Sequence, residues 1–387
     1  MRIDRRELAG AVADLGVLVP IAVALIVGNG LSATAVLLPA GALYVVAAFV
    51  YRLPVPVQPL KAFGAIAIAE GLGVDEIAAG ALLMGAIFVV LGSSGLIDLA
   101  ARVFPRAVIR GVQLAVGLLF LKIAWGLVTD PPEEFVSGRA DLWLAVGVVA
   151  LALVFRKRLV TLALVGAGVA VMLVRAAGDA SLGPSELTFP ALDSAAFWTA
   201  FTVLVVPQLP LSFANSCLAT ADAARVYFGD LAGRVRPGRL ATSFGAANVL
   251  AGAIGGMPVC HGAGGLTAHV SFGARTGGAP LAMGAALLAL AVAAGSGLAV
   301  LLAAFPLPVL AGMLATAGLL HIGLLRDLAG ARAWAIAVAV GVIGVAVNLA
   351  LAVALGLAAW WLGGLAKHRL SRRNPLGAPS VRPQSRR

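Results

Sequence analysis

Long apolar stretches recur along the whole chain, separated by short polar or basic segments. Because a membrane-spanning helix needs about 20 predominantly apolar residues, the pattern predicts twelve spans. Residues 333–364 could form one long helix, but we prefer a hairpin near Asn348 because a single span would leave the basic tail outside. The predicted spans are 8–27, 32–51, 77–92, 109–128, 142–155, 159–175, 196–219, 240–255, 279–296, 298–320, 333–346 and 349–364.

Two further segments, 56–70 and 258–272, are too short and too rich in Pro or Gly for ordinary spans. They predict half-helices reached through extended backbone, which brings the total to 14 segments. The motifs PVPVQPLKAFGA at 54–65 and GMPVCHGAGGLT at 256–267 share a Pro-Val pair followed by polar and small residues. Each motif is the third segment of its half. We therefore predict an all-α polytopic protein built from two inverted seven-helix repeats, with chance similarity as the alternative.

The repeats are expected at about 8–175 and 196–364, followed by a basic tail at 365–387. Composition agrees, since 61% of residues are hydrophobic, 12% are charged and the mean hydropathy is +1.02. A soluble globular protein is excluded, because its apolar share is nearer 45–50%. One transmembrane domain thus uses residues 1–387, and no C-terminal regulatory domain is expected.

The net charge of +11 arises from basic residues scattered between apolar segments, which indicates membrane orientation and not nucleic-acid binding. The positive-inside rule predicts an inner-membrane protein with both termini in the cytoplasm. Cys217 and Cys260 lie in or beside apolar segments, so no disulfide is expected. Cys260, His261 and His269 lack any zinc-site spacing. Neither a metal nor another cofactor is predicted.

The two half-helices suit an anion. A helix that begins inside the membrane presents free N–H groups and about half a positive charge at its N-terminus. Proline at 56 and 59 favours an extended approach followed by a helix start. Gly262, Gly264 and Gly265 allow the backbone to approach a ligand closely.

Lys61 lies on the first turn of the first half-helix, where a charge costs on the order of 3 kcal/mol and usually faces a cavity. A structural pair with Asp14 or Glu70 is the alternative. Gln58 offers a donor and an acceptor, or it satisfies nearby backbone. His261 could bind the ligand, titrate during transport or cap the half-helix.

Residues 205–229 place Gln208, Ser212, Asn215 and Ser216 on one helical face, which faces either a ligand cavity or a neighbouring helix. An anion that enters against the membrane potential needs cations with it. We therefore predict proton coupling through Asp14 and His261. The full set of predicted substrate-binding residues is Gln58, Lys61, Ala62, Gln208, Asn215, His261, Gly262, Ala263, Gly264 and Gly265.

Four motifs together resemble the molybdate transporter family of the sulfate-permease-like group. They are DLG at 14–16, PVPVQPLKA at 54–62, NSCLATADAARVYFG at 215–229 and MPVCHGAGGLTAHVSFGARTG at 257–277. The resemblance implies a seven-plus-seven inverted repeat and secondary active import of molybdate.

A sulfate or nucleobase permease of the same fold, or an anion channel, remains an alternative. Nucleobase carriers of this fold use acidic residues on segments 8 and 10, where this chain has Gln208, Asn215 and His261. An enzyme is not expected, because the chain has neither an HExxH motif nor paired catalytic aspartates. The oligomeric state stays open, with a homodimer as one alternative.

Overall fold

The structure of the chain is a computed structural model. Asp14 and the last part of the predicted basic tail lie outside the residues that it describes. The described residues are 1–12, 15–97, 99, 102–131, 133, 135, 141–155, 158–176, 178 and 180–373.

The first half begins with a short helix and continues with a kinked span, in which a π-helical turn at Ala24–Gly28 follows α2. Its elements are α1 (Arg5–Ala11), α2 (Leu15–Val23), α3 (Ala33–Tyr51), β1 (Gln58–Pro59), α4 (Lys61–Ala69), α5 (Val74–Ser94), α6 (Arg106–Thr129), α7 (Leu142–Phe155) and α8 (Arg158–Ala176).

The second half begins with a long helix that contains α, π and 3-10 turns. Its elements are α9 (Ser194–Arg234), α10 (Pro237–Ala253), β2 (Val259–Cys260), α11 (Ala263–Ser271), α12 (Gly278–Ala303), α13 (Leu307–Gly323), α14 (Ala331–Ala346) and α15 (Leu349–Arg373). A 3-10 turn at Leu324–Asp327 follows α13.

This architecture confirms the predicted fold class. Fourteen helical segments, α2 to α15, follow the short N-terminal helix within the described residues. Two of them, α4 and α11, have only nine residues each and are entered through β1 and β2. Seven helical stretches of the described chain are each long and apolar enough to cross a membrane. The protein is a multi-pass membrane protein.

Several predicted boundaries were wrong. The span predicted to end at 219 continues as α9 to Arg234. The break predicted near 297 lies instead at Pro306, because proline starts a helix readily whereas glycine is tolerated inside a membrane helix. The separate helix α1 precedes the first span, and the side chain of Glu7 attaches it to the start of α12. This buried carboxylate accepts the N–H groups of Arg275, Thr276 and Ala279 at the start of α12.

The two halves of the chain interleave. Helix α5 packs along α10, α3 along α12, and α6 along α13 and α14. Small residues allow this close approach, as is usual between membrane helices. A Cβ atom added to Gly245 would lie 2.8 Å from the Val89 nitrogen and 3.0 Å from the Gly85 oxygen.

The C-terminal helices form the predicted hairpin. Arg332, at the start of α14, donates from Nη2 to the carbonyl oxygen of Ala359 at 3.0 Å. Its guanidinium carbon lies 5.2 Å from the centre of the Trp360 ring. These contacts bring the start of α14 beside the middle of α15, which requires the chain to reverse near Asn348.

The glycine contact between α5 and α10 predicts a position-specific loss of stability. Gly245→Ala should lower the free energy of unfolding by about 1–3 kcal/mol, because the new methyl group meets backbone atoms that cannot move aside. Gly126→Ala on α6 is the control, since a Cβ there meets nothing within 4 Å. Thermal unfolding of both variants in detergent tests the prediction. Equal melting temperatures would contradict it.

Candidate anion-binding site

The extended segments before the half-helices pair with each other. Strands β1 and β2 are antiparallel, with Gln58 opposite Cys260 and Pro59 opposite Val259. The Leu60 nitrogen donates to the Pro258 oxygen at 3.1 Å, which continues the pairing. Because the strands run in opposite directions, α4 and α11 leave the pair in opposite directions. Their N-termini therefore lie close together.

A cavity of about 880 Å³ opens at these N-termini. Its walls come from α4, α9 and α11 on one side and from α6 and α13 on the other. It extends to Arg106 at the start of α6 and to Leu324 just after α13. Its polar and charged lining residues are Gln58, Lys61, Arg106, Arg110, Gln113, Gln208, Asn215, Ser216, Asp222, Thr316 and His321.

Lys61 places a positive charge at this cavity. Its Nζ atom donates a hydrogen bond to Gln58 Oε1 at 2.8 Å. Gln58 is buried on β1, so the amide fixes the position of the ammonium group. An ammonium group has three donors, so two remain for a ligand as far as the described residues are concerned. Gln58 thus positions the charge that a ligand would meet.

The two half-helix N-termini differ in what they offer. At α4, Gln208 Oε1 accepts the N–H of Phe63 at 3.0 Å, and Gln208 Nε2 donates to Ser212 Oγ at 3.0 Å. Gln208 therefore caps the first turn of α4. At α11, Gly262 is the N-cap residue and provides no side-chain cap. A Cβ on Gly264 would meet nothing within 4 Å, so the cavity lies open over this helix end.

Helix α9 is distorted where it meets the site. Pro207 and Pro210 precede a π-helical stretch at Ser212–Ala219. Such π turns are frequent at functional sites. Asn215 lies in this stretch and lines the cavity. A Cβ on Gly262 would lie 2.6 Å from Gln58 Oε1 and 3.3 Å from Asn215 Nδ2, so β1, α9 and α11 converge at this glycine.

The charged lining of the cavity is mainly basic. Three of its described side chains are basic and one, Asp222, is acidic. Asp222 forms an ion pair with Arg225 at 3.5 Å. Arg110 pairs with Asp327 and also donates to Gln113 Oε1 at 2.7 Å. Of these three basic residues, Lys61 is the one that lies on a half-helix, at its first turn.

Six of the predicted binding residues line the cavity, and four do not. Ala62 and Gly265 are buried beside the helix starts, and Gly262 supports Gln58 and Asn215 from behind. The residues that line the cavity are Gln58, Lys61, Gln208, Asn215, Ala263 and Gly264.

His261 lies away from the cavity. Its Nδ1 atom bonds to the Pro56 oxygen at 2.8 Å and its Nε2 atom to Ser243 Oγ at 2.8 Å. Successive side chains of a strand point to opposite faces, and Cys260 is the one that faces the cavity. The predicted contact of His261 with a ligand, and its predicted proton transfer, therefore gain no support. The position of Asp14 falls outside the described residues.

Sequence reasoning missed the opposite wall of the cavity. Arg106, Arg110 and Gln113 reach it from α6, and Thr316 and His321 reach it from α13. A usable signal was present, because polar and ionisable residues inside apolar spans usually face a cavity. The two half-helix motifs belong to one side of the cavity only, so the resemblance between them gave no information about the other side.

Sequence comparison identifies the family of the chain. A sequence-family model described as a molybdate transporter of the MFS superfamily matches residues 6–120 and 200–320. Molybdate transporter 1 of Arabidopsis thaliana is 31% identical over 357 residues, which cover 81% of this chain and 78% of that protein. The chain belongs to the molybdate transporter family. A second member, Molybdate transporter 1 of Chlamydomonas reinhardtii, is 28% identical and the match covers 86% of both proteins.

Solved structures show which fold this family member has. The transmembrane domain of the cyanobacterial bicarbonate transporter BicA matches with a TM-score of 0.64 at 19% identity, covering 90% of this chain and 97% of that one. The murine anion transporter Slc26a9 in its inward-facing state matches with a TM-score of 0.65 at 13% identity, covering 95% and 70%. MFS transporters consist of two six-helix halves. The fold of this family member is instead the sulfate-permease-like one.

The cap formed by Gln208 predicts a graded effect on stability. Gln208→Leu should lower the free energy of unfolding by about 1–3 kcal/mol, because the buried N–H of Phe63 loses its acceptor. Ser212→Ala is the matched control and should cost less, since the bond from Phe63 to Gln208 remains. Thermal unfolding in detergent compares them. A larger loss for Ser212→Ala would show that Gln208 is not the cap.

Proposed function

We propose that the protein is a secondary active transporter that imports molybdate and binds it between the N-termini of α4 and α11. The observation that carries the proposal is the convergence of two helix N-termini and Lys61 on one cavity. The names of the relatives, which are molybdate transporters, support the substrate.

Charge balance favours an oxyanion at this place. Two helix N-termini supply together about one positive charge, which leaves a dianion about half neutralised. The ammonium group of Lys61 supplies most of the remainder, and charges interact strongly where water is excluded. Among the described residues, the free donors include two protons of Lys61 and the first-turn N–H groups of α11, which have no acceptor within their own helix. A tetrahedral oxyanion has enough oxygen atoms to accept them all.

Two groups of helices hold the site between them. The first, α2–α5 with α9–α12, contains both half-helices, and we call it the core. The second, α6–α8 with α13–α15, we call the gate. The helices that pack most extensively against each other belong to the same group, whereas residues of both groups line the cavity. Alternating access would follow from movement of the core against the gate. With both termini in the cytoplasm, the cavity is open to the cytoplasm in this conformation.

Energy coupling follows from the membrane potential. Each negative charge that enters against 100 mV costs about 2.3 kcal/mol, so a dianion faces about 4.6 kcal/mol. Accumulation of molybdate therefore needs at least two co-transported cations. We propose that these are protons and that the inner membrane of the cell is the site of transport. A homodimer is compatible with this scheme.

Lys61 provides the sharpest test of the binding site. Lys61→Gln should weaken molybdate binding by about 10- to 100-fold, since a charged hydrogen bond contributes about 1.5–3 kcal/mol. Lys61→Arg should retain part of the affinity. Lys122→Gln is the control, because this exposed lysine of α6 lies outside the cavity lining. Calorimetric titration with molybdate, tungstate and sulfate measures affinity and selectivity. Wild-type affinity in a well-folded Lys61→Gln protein would refute the proposal.

The orientation is tested by cysteine labelling. Both native cysteines are buried, but Cys260 lines the cavity, so both are first replaced by alanine and the introduced cysteines then report alone. The first variant, Glu186→Cys, changes an exposed residue that precedes α9. The second, Arg234→Cys, changes the exposed last residue of α9. In intact cells, a membrane-impermeant maleimide should label Glu186→Cys, and it should label Arg234→Cys only after permeabilisation. The reverse pattern would place the termini outside.

A further inference from the structure

His321 faces the cavity from the gate. It lies near the end of α13, is partly exposed and lines the cavity opposite the half-helices. Its Nδ1 atom donates to the carbonyl oxygen of Ala317 at 2.8 Å. The ring of Phe120 packs edge-on against it, with the two centres 5.9 Å apart. Since a carbonyl only accepts, Nδ1 carries a proton and the neutral ring has its lone pair on Nε2.

The Nε2 atom has a different environment from Nδ1. Within the described part of the chain, it has no hydrogen-bond partner. By contrast, His261 uses both ring nitrogens in the interior, and His269 stacks on Tyr44 away from the cavity. Of the histidines whose side chains the structure describes, His321 alone lines the cavity. Among these histidines, His321 is therefore the one that presents a titratable ring nitrogen to a ligand in the cavity.

Within the part of the chain that the structure describes, the charges around His321 come from four elements. Lys61 of α4 acts electrostatically on the ring across the cavity. Arg106 and Arg110 face the cavity from α6, Asp222 faces it from α9, and Asp327 follows α13 and pairs with Arg110. Of the other helices packed on α13, α2 and α7 contain no charged residue, and α8 has arginines only near its two ends.

We propose that His321 takes up a proton on Nε2 when the oxyanion binds and loses it when the oxyanion leaves. The proton comes from water in the cavity and forms an N–H bond with the Nε2 lone pair. The neutral ring presents that lone pair to the anion and repels it, whereas the imidazolium presents a donor and a positive charge. This inference rests on the proposed function, because it assigns one of the protons that accompany the anion.

A bound anion reverses the electrostatic effect that the cavity has on protonation of the His321 ring. In the empty cavity, the ammonium group of Lys61 opposes a second positive charge nearby. A bound dianion outweighs that single charge and favours the imidazolium. By linkage, the proton then favours the anion to the same extent. Loss of the proton on the cytoplasmic side would promote release.

The test is the number of protons that accompany the anion. Molybdate is titrated into purified full-length protein in detergent, in two buffers of different ionisation enthalpy, between about pH 6 and pH 8. The wild-type protein should take up a proton with the anion, and its affinity for molybdate should therefore fall as the pH rises, by up to about tenfold per pH unit for one proton. His321→Gln and His321→Asn should bind with little pH dependence and without that proton. His269→Gln is the matched control and should behave as wild type.

The outcomes separate this inference from the proposed function. Wild-type protein that binds molybdate without proton uptake would overturn the role of His321, whatever the variants do. So would a His321→Gln protein that keeps the full proton uptake. Wild-type protein that binds none of the three oxyanions at any pH would instead overturn the proposed function itself. Thermal unfolding of each variant shows that it is folded.

Discussion

Backbone hydrogen bonding between β1 and β2 is the constraint on which the candidate binding site depends. Extended backbone inside a membrane protein leaves N–H and C=O groups that no lipid can satisfy. Here the two extended segments satisfy each other as an antiparallel pair. Asn248 adds a side-chain acceptor for the Val259 nitrogen at 2.7 Å. The pairing allows two helices to begin in the interior, and it places their N-termini side by side.

A layer of aromatic and polar side chains supports this pair from behind. His261 bonds to the Pro56 oxygen and to Ser243, and Tyr51 also bonds to Ser243 Oγ at 2.6 Å. The Tyr51 ring lies edge-on to His261, 5.5 Å away. This network joins α3, α10 and both extended segments. His261 therefore acts on the site through the positions of β1 and β2.

The chemistry of the cavity follows from which hydrogen-bonding groups are already occupied. Gln58 Oε1 is used by Lys61, and Gln208 Oε1 is used by the Phe63 nitrogen. Two acceptors nearest the helix starts are thus occupied, whereas the ammonium group and the N-terminus of α11 remain as donors. Such a site favours a fully deprotonated oxyanion over a ligand that must itself donate a proton. His321 on the gate is the group whose donor character depends on pH.

The sequence by itself determined the class of the protein and the two half-helices. Apolar stretches of membrane length and the paired Pro- and Gly-marked motifs are local features, and local geometry follows from them. Only the tertiary structure decided that Cys260 and not His261 faces the cavity, because strand alternation depends on the pairing register. It also decided that α6 and α13 form the opposite wall. Arg110 and His321 are more than 200 residues apart in the chain, and no local pattern specifies which polar residues of distant helices will share a cavity.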